Sequence, residues 1–270
     1  HASGRDLMVQ ISPLRIIGDI YDGFIVNLSD ISLLRASERE RNEILNFLSH
    51  DLRSPLASML AMIELARNKV NPDEMWDMLL NMENNTHKTL HLAEQFLQLS
   101  RANTNENLKF YDVDFNNVVL NAIDQLWALS SKNKVTITHE FDNDECWTHA
   151  EPDLLERAVV NLISNAIKHS DEGSSVSVIV TSNTDDITCC VKDSGTGISP
   201  DELPHLFEIF RRTRRSRTGS DRKLGTGLGL AFVDAVVKRH SGQIDIESTV
   251  GAGSSFCLTI PRSEPVGSIG

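Results

Sequence analysis

The chain has 270 residues, of which 40% are hydrophobic and 24% charged, and its 38 acidic against 26 basic residues give a formal charge of −12. That composition is ordinary for a folded protein and excludes wholesale disorder, collagen and a disulfide scaffold. The acidic excess argues against nucleic-acid binding over the whole surface, no apolar run reaches the roughly 18 residues that span a membrane, and the length suits two domains better than one.

The chain opens His1-Ala-Ser-Gly without a starting Met, as an excised fragment behind a cloning scar would. Residues 9–32 read as short β-like pieces, with Leu14–Ile17 and Phe24–Leu28 flanking the turn signal Tyr21-Asp-Gly23. Two short strands are too few for a stable domain, so residues 1–32 are expected to be the remnant of an upstream unit. The polar stretch 33–44 is expected to continue as a helical linker.

From there the apolar spacing is helical. Leu45, Leu48, Leu52, Leu56, Met59, Ile63 and Ala66 recur at steps of three and four, a coiled-coil-like seam. Asn71-Pro-Asp73 breaks the pattern, and Met75, Met78, Met82, Thr86, Thr89, Ala93 and Phe96 form a second seam. The spacing predicts an antiparallel helical hairpin over 45–102. One hairpin cannot cover its own seam, so pairing with a second copy into a four-helix bundle, a homodimer, is expected.

A linker over 103–112 precedes a mixed region, 113–262, and a tail, 263–270. Helices are predicted at 116–131, 153–169 and 226–240, and strands at 135–141, 176–182, 187–193, 243–248 and 254–260. Irregular alternation of this kind predicts an α+β two-layer sandwich with helices on one sheet face. Cys146, Cys189, Cys190 and Cys257 have no metal-ligand spacing and read as reduced thiols, Cys189 and Cys190 lying within a buried strand.

Three clusters carry chemistry. His50 lies off the apolar seam, with Asp51 beside it to orient the imidazole and accept a proton, and Pro55 expected to bend the helix nearby. Asp193-Ser-Gly-Thr-Gly197 follows a strand and Gly225-Thr-Gly-Leu-Gly229 opens a helix, where glycine lets backbone approach a ligand and a helix N-terminus favours phosphate. Asn161, Asn165 and Lys168 share one helix face opposite Leu162, Ile163, Ala166 and Ile167; two amide oxygens and a cation suit a metal-bound polyphosphate. Arg211–Lys223 holds seven basic residues and reads first as a solvated lid.

Together these motifs resemble the sensor histidine kinases of two-component signalling, over residues 30–260. The His50 segment resembles the H box, 161–169 the N box, 193–197 and 225–229 two glycine boxes, Leu206-Phe-Glu-Ile-Phe210 the F box, and Gly251–Phe256 the closing strand segment. Residues 9–32, ending Asp30-Ile-Ser32, resemble the end of a PAS sensor domain. The resemblance implies a helical dimerisation and phosphotransfer domain, then a Bergerat-type ATP-binding fold. It implies that Asp193 accepts the adenine amino group, with Gly195 and Gly197 near the base. It implies further that Asn161 and Asn165 hold Mg²⁺ against the phosphates, with Lys168 nearby. Gly225, Gly227 and Gly229 would close around the triphosphate of ATP, and Arg212 would contact phosphate. His169 stands where the family often has Tyr.

By the same resemblance His50 takes the phosphoryl group from Mg-ATP and passes it to an aspartate of a response regulator receiver domain. Asn161 replaces the Glu that activates water in ATP-hydrolysing relatives, which favours transfer over hydrolysis. Ser54 occupies the position where a Thr or Asn supports phosphatase activity. The fragment is expected to be a cytoplasmic portion without membrane or nucleic-acid contacts of its own, and the sequence leaves open whether its parent is anchored in the bacterial inner membrane. The alternatives are a non-catalytic ATP-binding dimeric signalling scaffold and a plain ATPase.

Overall fold

A computed structural model describes residues 5–14, 23–67, 71–103, 109–142, 145–207 and 227–264, with backbone only at 14, 36–51, 72–73 and 103. The chain forms two compact units, His1–Thr86 and His87–Gly270.

The first unit opens with an antiparallel pair, β1 (Leu7–Leu14) and β2 (Gly23–Asp30), in register from Leu7↔Asp30 to Leu14↔Gly23. The strand expected at Leu14–Ile17 lies earlier, because Leu7–Leu14 supplies the residues that pair with β2. Most of the Tyr21-Asp-Gly23 turn lies outside the described residues. Side chains on both faces of this ribbon are exposed, Ile11 at 62% on one and Ile25 at 53% on the other, so it lacks a core of its own.

Asp30 Oδ1 accepts the Ser32 N–H (3.0 Å) and Ser32 Oγ accepts the Asp6 N–H (2.9 Å), which ties the ribbon to α1 (Ser32–Ala66). Helix α1 runs unbroken through Pro55. Helix α2 (Pro72–Asn103) starts where Asn71 Oδ1 caps the Glu74 N–H at 2.9 Å, with proline in the first turn, where its missing donor costs nothing. Between the helices Thr86 Oγ1 approaches Met59 Sδ (3.2 Å), and Asn85 Nδ2 donates to Ser58 Oγ (3.5 Å). Of the seam residues, Leu52, Met59, Met75, Met78 and Met82 are half-buried, whereas Leu56 and Ile63 stay 46% and 44% exposed, and Leu60 and Trp76 beside the seams 63% and 73%. The hairpin therefore covers only part of its apolar surface.

In the second unit the end of α2 joins the core through Leu99 and Ala102. A small antiparallel sheet, β3 (Tyr111–Asp114) with β5 (Trp147–Ala150), has no counterpart among the strands expected from the sequence. Helix α3 (Phe115–Gln125) is capped by Asp114, whose Oδ1 accepts N–H groups from Asn116 (3.1 Å) and Cys146 (3.0 Å). The single helix expected over 116–131 divides at Leu126, whose N–H turns back to Ile123 O (3.0 Å), and α4 (Trp127–Asn133) follows.

The main sheet is formed by β4 (Thr136–Phe141), β6 (Ser175–Ser182), β7 (Asp186–Asp193), β8 (Gln243–Thr249) and β9 (Gly253–Pro261), in the order β4-β6-β7-β9-β8. Strand β4 pairs with β6 in parallel and the other pairs are antiparallel. Alternate residues Val176, Val178 and Val180, Ile187, Cys189 and Val191, and Phe256, Leu258 and Ile260 are buried. They share a core with Leu155, Val159, Leu162, Ile163 and Ile167 of α5 (Pro152–His169) and Phe232, Val233, Val236 and Val237 of α6 (Gly229–Arg239). Each such side chain contributes about 1.5–3 kcal/mol through burial. This is the expected two-layer α+β sandwich, and among the described residues no helix is long and apolar enough to cross a membrane.

The reading of all the cysteines as reduced thiols is corrected by the register. Cys190 of β7 stands directly opposite Cys257 of β9, and the two are joined as a disulfide. Cys189 points the other way into the core, where burial pushes its thiol up to about 12, and Cys146 is also buried and free. Alkylation in denaturant without reductant, followed by intact-mass measurement, should therefore modify only Cys146 and Cys189, and prior reduction should expose all four cysteines. Four modified thiols without reduction would contradict the cross-strand bond.

Candidate active site

The site is built on α5. Glu151 caps its start, Oε2 accepting the Leu154 N–H at 2.6 Å, and Pro152 occupies its first turn. The Glu151 N–H donates to His240 Nε2 (3.1 Å), while His240 Nδ1 lies 2.8 Å from Val236 O. Because Nε2 accepts, Nδ1 carries the proton, so the imidazole is neutral. Phe110 packs on it with ring centroids 5.0 Å apart. The start of α5 is thereby pinned to the end of α6, and burial of its apolar face fixes which residues face outward.

Outward lie Asn161, Asn165 and Lys168, all half-buried. Asn161 Nδ2 donates to Arg157 O (3.0 Å), which orients the amide. Its Oδ1 faces the first turn of α6, where a Cβ added to Gly229 would stand 3.1 Å away. Gly227 just before has φ +75°, a conformation that favours glycine. Burial lowers the Lys168 ammonium below its ordinary value. His91 of α2 lies close enough to feel it: desolvation first, and then the Lys168 charge, hold that imidazole low.

The second half of the site is the end of β7. Asp193 Oδ1 accepts the N–H groups of Gly195 (2.9 Å) and Ser254 (3.3 Å). Desolvation raises this carboxyl, against the pull of those two hydrogen bonds and of His169. A Cβ on Gly195 would stand 2.1 Å from His169 O, so only glycine lets the turn meet the end of α5. Gly197 has φ +65° and backs onto Thr249 O.

The fold thus brings Asn161, Asn165, Lys168, His169, Asp193, Gly195, Gly197, Gly227 and Gly229 onto the α5, β7 and α6 edges of one domain. Gly225, Arg212 with the whole basic run, and the last part of the F-box segment lie outside the described residues. Ser54 is exposed on α1, and His50 and Asp51 lie on the same helix, with side chains outside the described set. Sequence reasoning assigned no role to Ser254 or His91. The Gly-Ser pair opening β9 was a usable signal for the first; nothing local marked the second.

A family model for "Histidine kinase-, DNA gyrase B-, and HSP90-like ATPase" matches residues 150–264. One for the "His Kinase A (phospho-acceptor) domain" matches residues 40–105. The sensor protein kinase WalK of Staphylococcus saprophyticus is 34% identical over 245 residues, covering 88% of this chain and 39% of that protein. The chain therefore spans less than half of that relative's length. The solved structure of histidine kinase ThkA in complex with response regulator protein TrrA matches at TM-score 0.65 and 19% identity, covering 94% of this chain and 75% of that one. Full-length ShkA in complex with AMPPNP matches at TM-score 0.61 and 23% identity, over 82% and 46% of the two chains. At these identities the two structures show the fold.

The His240 lock has a pH signature. Desolvation, aided by Arg239 and opposed by the Val236 carbonyl, holds the imidazole below its ordinary 6.5. Below pH 6.5 the unfolded chain binds a proton before the folded one does, so this contribution is full above 6.5 and is lost as pH falls toward the depressed folded value. Urea unfolding from pH 8 to pH 5 should show a decline that flattens in His240→Gln; an identical pH slope in that variant would contradict the lock.

Proposed function

The chain belongs to the sensor histidine kinases, and from that premise we propose that it phosphorylates His50 from ATP and passes the phosphoryl group to an aspartate of a response regulator. The observation that carries this reading is the meeting of the asparagine face of α5 with the Asp193–Gly197 turn and the α6 N-terminus. A base at one end, a triphosphate along the polar face and its terminal group toward the helix start account for each of these side chains.

Asp193 has Oδ1 committed to two backbone N–H groups, so Oδ2 is the oxygen placed to accept the adenine amino group. Asn161 and Asn165 offer neutral amide oxygens suited to a Mg²⁺ ion that is itself shared with phosphate. When bound there, Mg²⁺ would offset the negative charge that an incoming nucleophile meets. Lys168, held with a depressed pKa by burial, adds positive charge beside the phosphates. Gly225 and Arg212 are assigned to the triphosphate and Gly227 to the turn that closes on it.

The neutral imidazole of His50 attacks the γ-phosphorus in line. A nitrogen–phosphorus bond forms as the bond to the ADP oxygen breaks, and Asp51 takes the imidazole proton. Asn161 cannot deprotonate water, which favours transfer over hydrolysis. The phosphoramidate then supplies the receiver aspartate. Ser54, one turn on from His50, is assigned to orienting a water that hydrolyses the regulator's aspartyl phosphate, releasing inorganic phosphate and the free carboxylate. The partly exposed hairpin seam is covered by a second copy, as a homodimer, and the chain acts as the cytoplasmic portion of a longer sensor.

Incubation with γ-labelled ATP and Mg²⁺ tests the reading. Wild type should acquire an acid-labile, base-stable phosphoryl group, and His50→Ala should lose it while still binding ATP. Equal labelling of His50→Ala contradicts the assignment. ATP binding without any labelling favours the scaffold, and steady phosphate release without a phosphoprotein favours the ATPase.

A further inference from the structure

Behind the nucleotide turn lies a hydroxyl that the functional reading does not use. Ser248, the sixth residue of β8, is half-buried beneath Gly197 and Ile198. Its Oγ accepts the Ile198 N–H at 2.8 Å, lies 3.0 Å from Gly253 O, and lies 2.9 Å from Ser254 Oγ. A serine hydroxyl has one proton to give and two lone pairs to receive. Its proton goes to the Gly253 carbonyl, and its lone pairs take the Ile198 amide and the Ser254 hydroxyl. All its capacity is spent on three backbone or side-chain groups from two other segments.

Those segments are the ones that hold Asp193. Gly195 opens the turn that ends at Ile198, and Ser254 follows Gly253 at the start of β9; both donate to Asp193 Oδ1. A backbone bond from Gly251 N to Thr196 O (2.8 Å) is the second tie between the same turn and the β8–β9 hairpin. Little slack remains, since a Cβ on Gly253 would stand 2.0 Å from Asp193 O.

Resting on the ATP-binding reading above, we propose that Ser248 is a positioning residue for the adenine site: its hydroxyl clamps the Gly195–Ile198 turn to the Gly253–Ser254 strand start and so fixes the carboxylate between them. Removing the hydroxyl leaves the Ile198 N–H and the Gly253 carbonyl without this partner and loosens the coupling between the two donors of Asp193, with the Gly251–Thr196 bond still in place. The effect falls on nucleotide affinity, because the phosphate-side groups on α5 and the phospho-acceptor helix are untouched.

The full chain should be measured for ATP binding and for autophosphorylation kinetics. Ser248→Ala is expected to weaken ATP affinity and raise KM about tenfold, the scale of one lost polar cluster, with kcat at saturating ATP within about twofold of wild type. Ser248→Thr keeps the hydroxyl and should return KM to near the wild-type value. Unchanged KM in Ser248→Ala, a fall in kcat alone, or failure of the Thr variant to rescue overturns the role. Should the Ala variant not fold, hydrogen exchange in nucleotide-free wild type decides: a protected Ile198 amide supports the clamp, and an unprotected one overturns it. A wild type that binds no ATP overturns the functional reading; normal wild-type binding with unchanged affinity in Ser248→Ala overturns the role of Ser248 alone.

Discussion

The site depends on one carboxylate held between two backbone amides. Asp193 sits where β7 ends, and its Oδ1 takes N–H groups from the turn that follows and from the first residues of β9. Burial raises this carboxyl above its ordinary value, and the two donors and His169 oppose that shift without reversing it. Committing one oxygen to the protein gives the other a fixed direction. The glycines nearby follow from the same constraint: the turn closes against the His169 carbonyl, the Thr249 carbonyl and the Asp193 carbonyl itself, at separations that leave no room for a Cβ.

Helix α5 converts this local arrangement into a site. Its apolar face is buried on the sheet and its start is tied through Glu151 to His240, so its polar face has no rotational freedom. Asn161 then meets Gly229 and the helix C-terminus meets Gly195. A ligand lying along that face would meet a carboxylate acceptor at one end and amide oxygens, a lysine and a helix N-terminus at the other. That polarity matches a nucleotide, base at the acceptor and phosphates at the donors.

Much of this was legible in the sequence. The two long helices, the break at Asn71-Pro-Asp73 and the strands of the main sheet follow from periods of 3.6 and 2, which long elements express strongly. The division at Leu126 was not, because an amphipathic pattern continues across it and only the turn-back of one N–H ends the helix. Strands β3 and β5 have four residues each and pair across a long separation, too short for alternation to show. The Cys190–Cys257 bond depends on register, which composition does not carry. Asp193 and the asparagines stood out through motif spacing. Ser248 and His240 did not, since a strand serine and a helix-end histidine are unremarkable until their partners fold beside them.

The most direct measurement is the affinity of the full chain for ATP against purine riboside triphosphate, which lacks the exocyclic amino group, in wild type and in Asp193→Ala. A hydrogen bond to a buried carboxylate is worth about 1.5–3 kcal/mol, or roughly ten- to a hundredfold in affinity. The account requires wild type to prefer ATP by that margin and Asp193→Ala to lose the preference. Equal affinity of wild type for both nucleotides would contradict it.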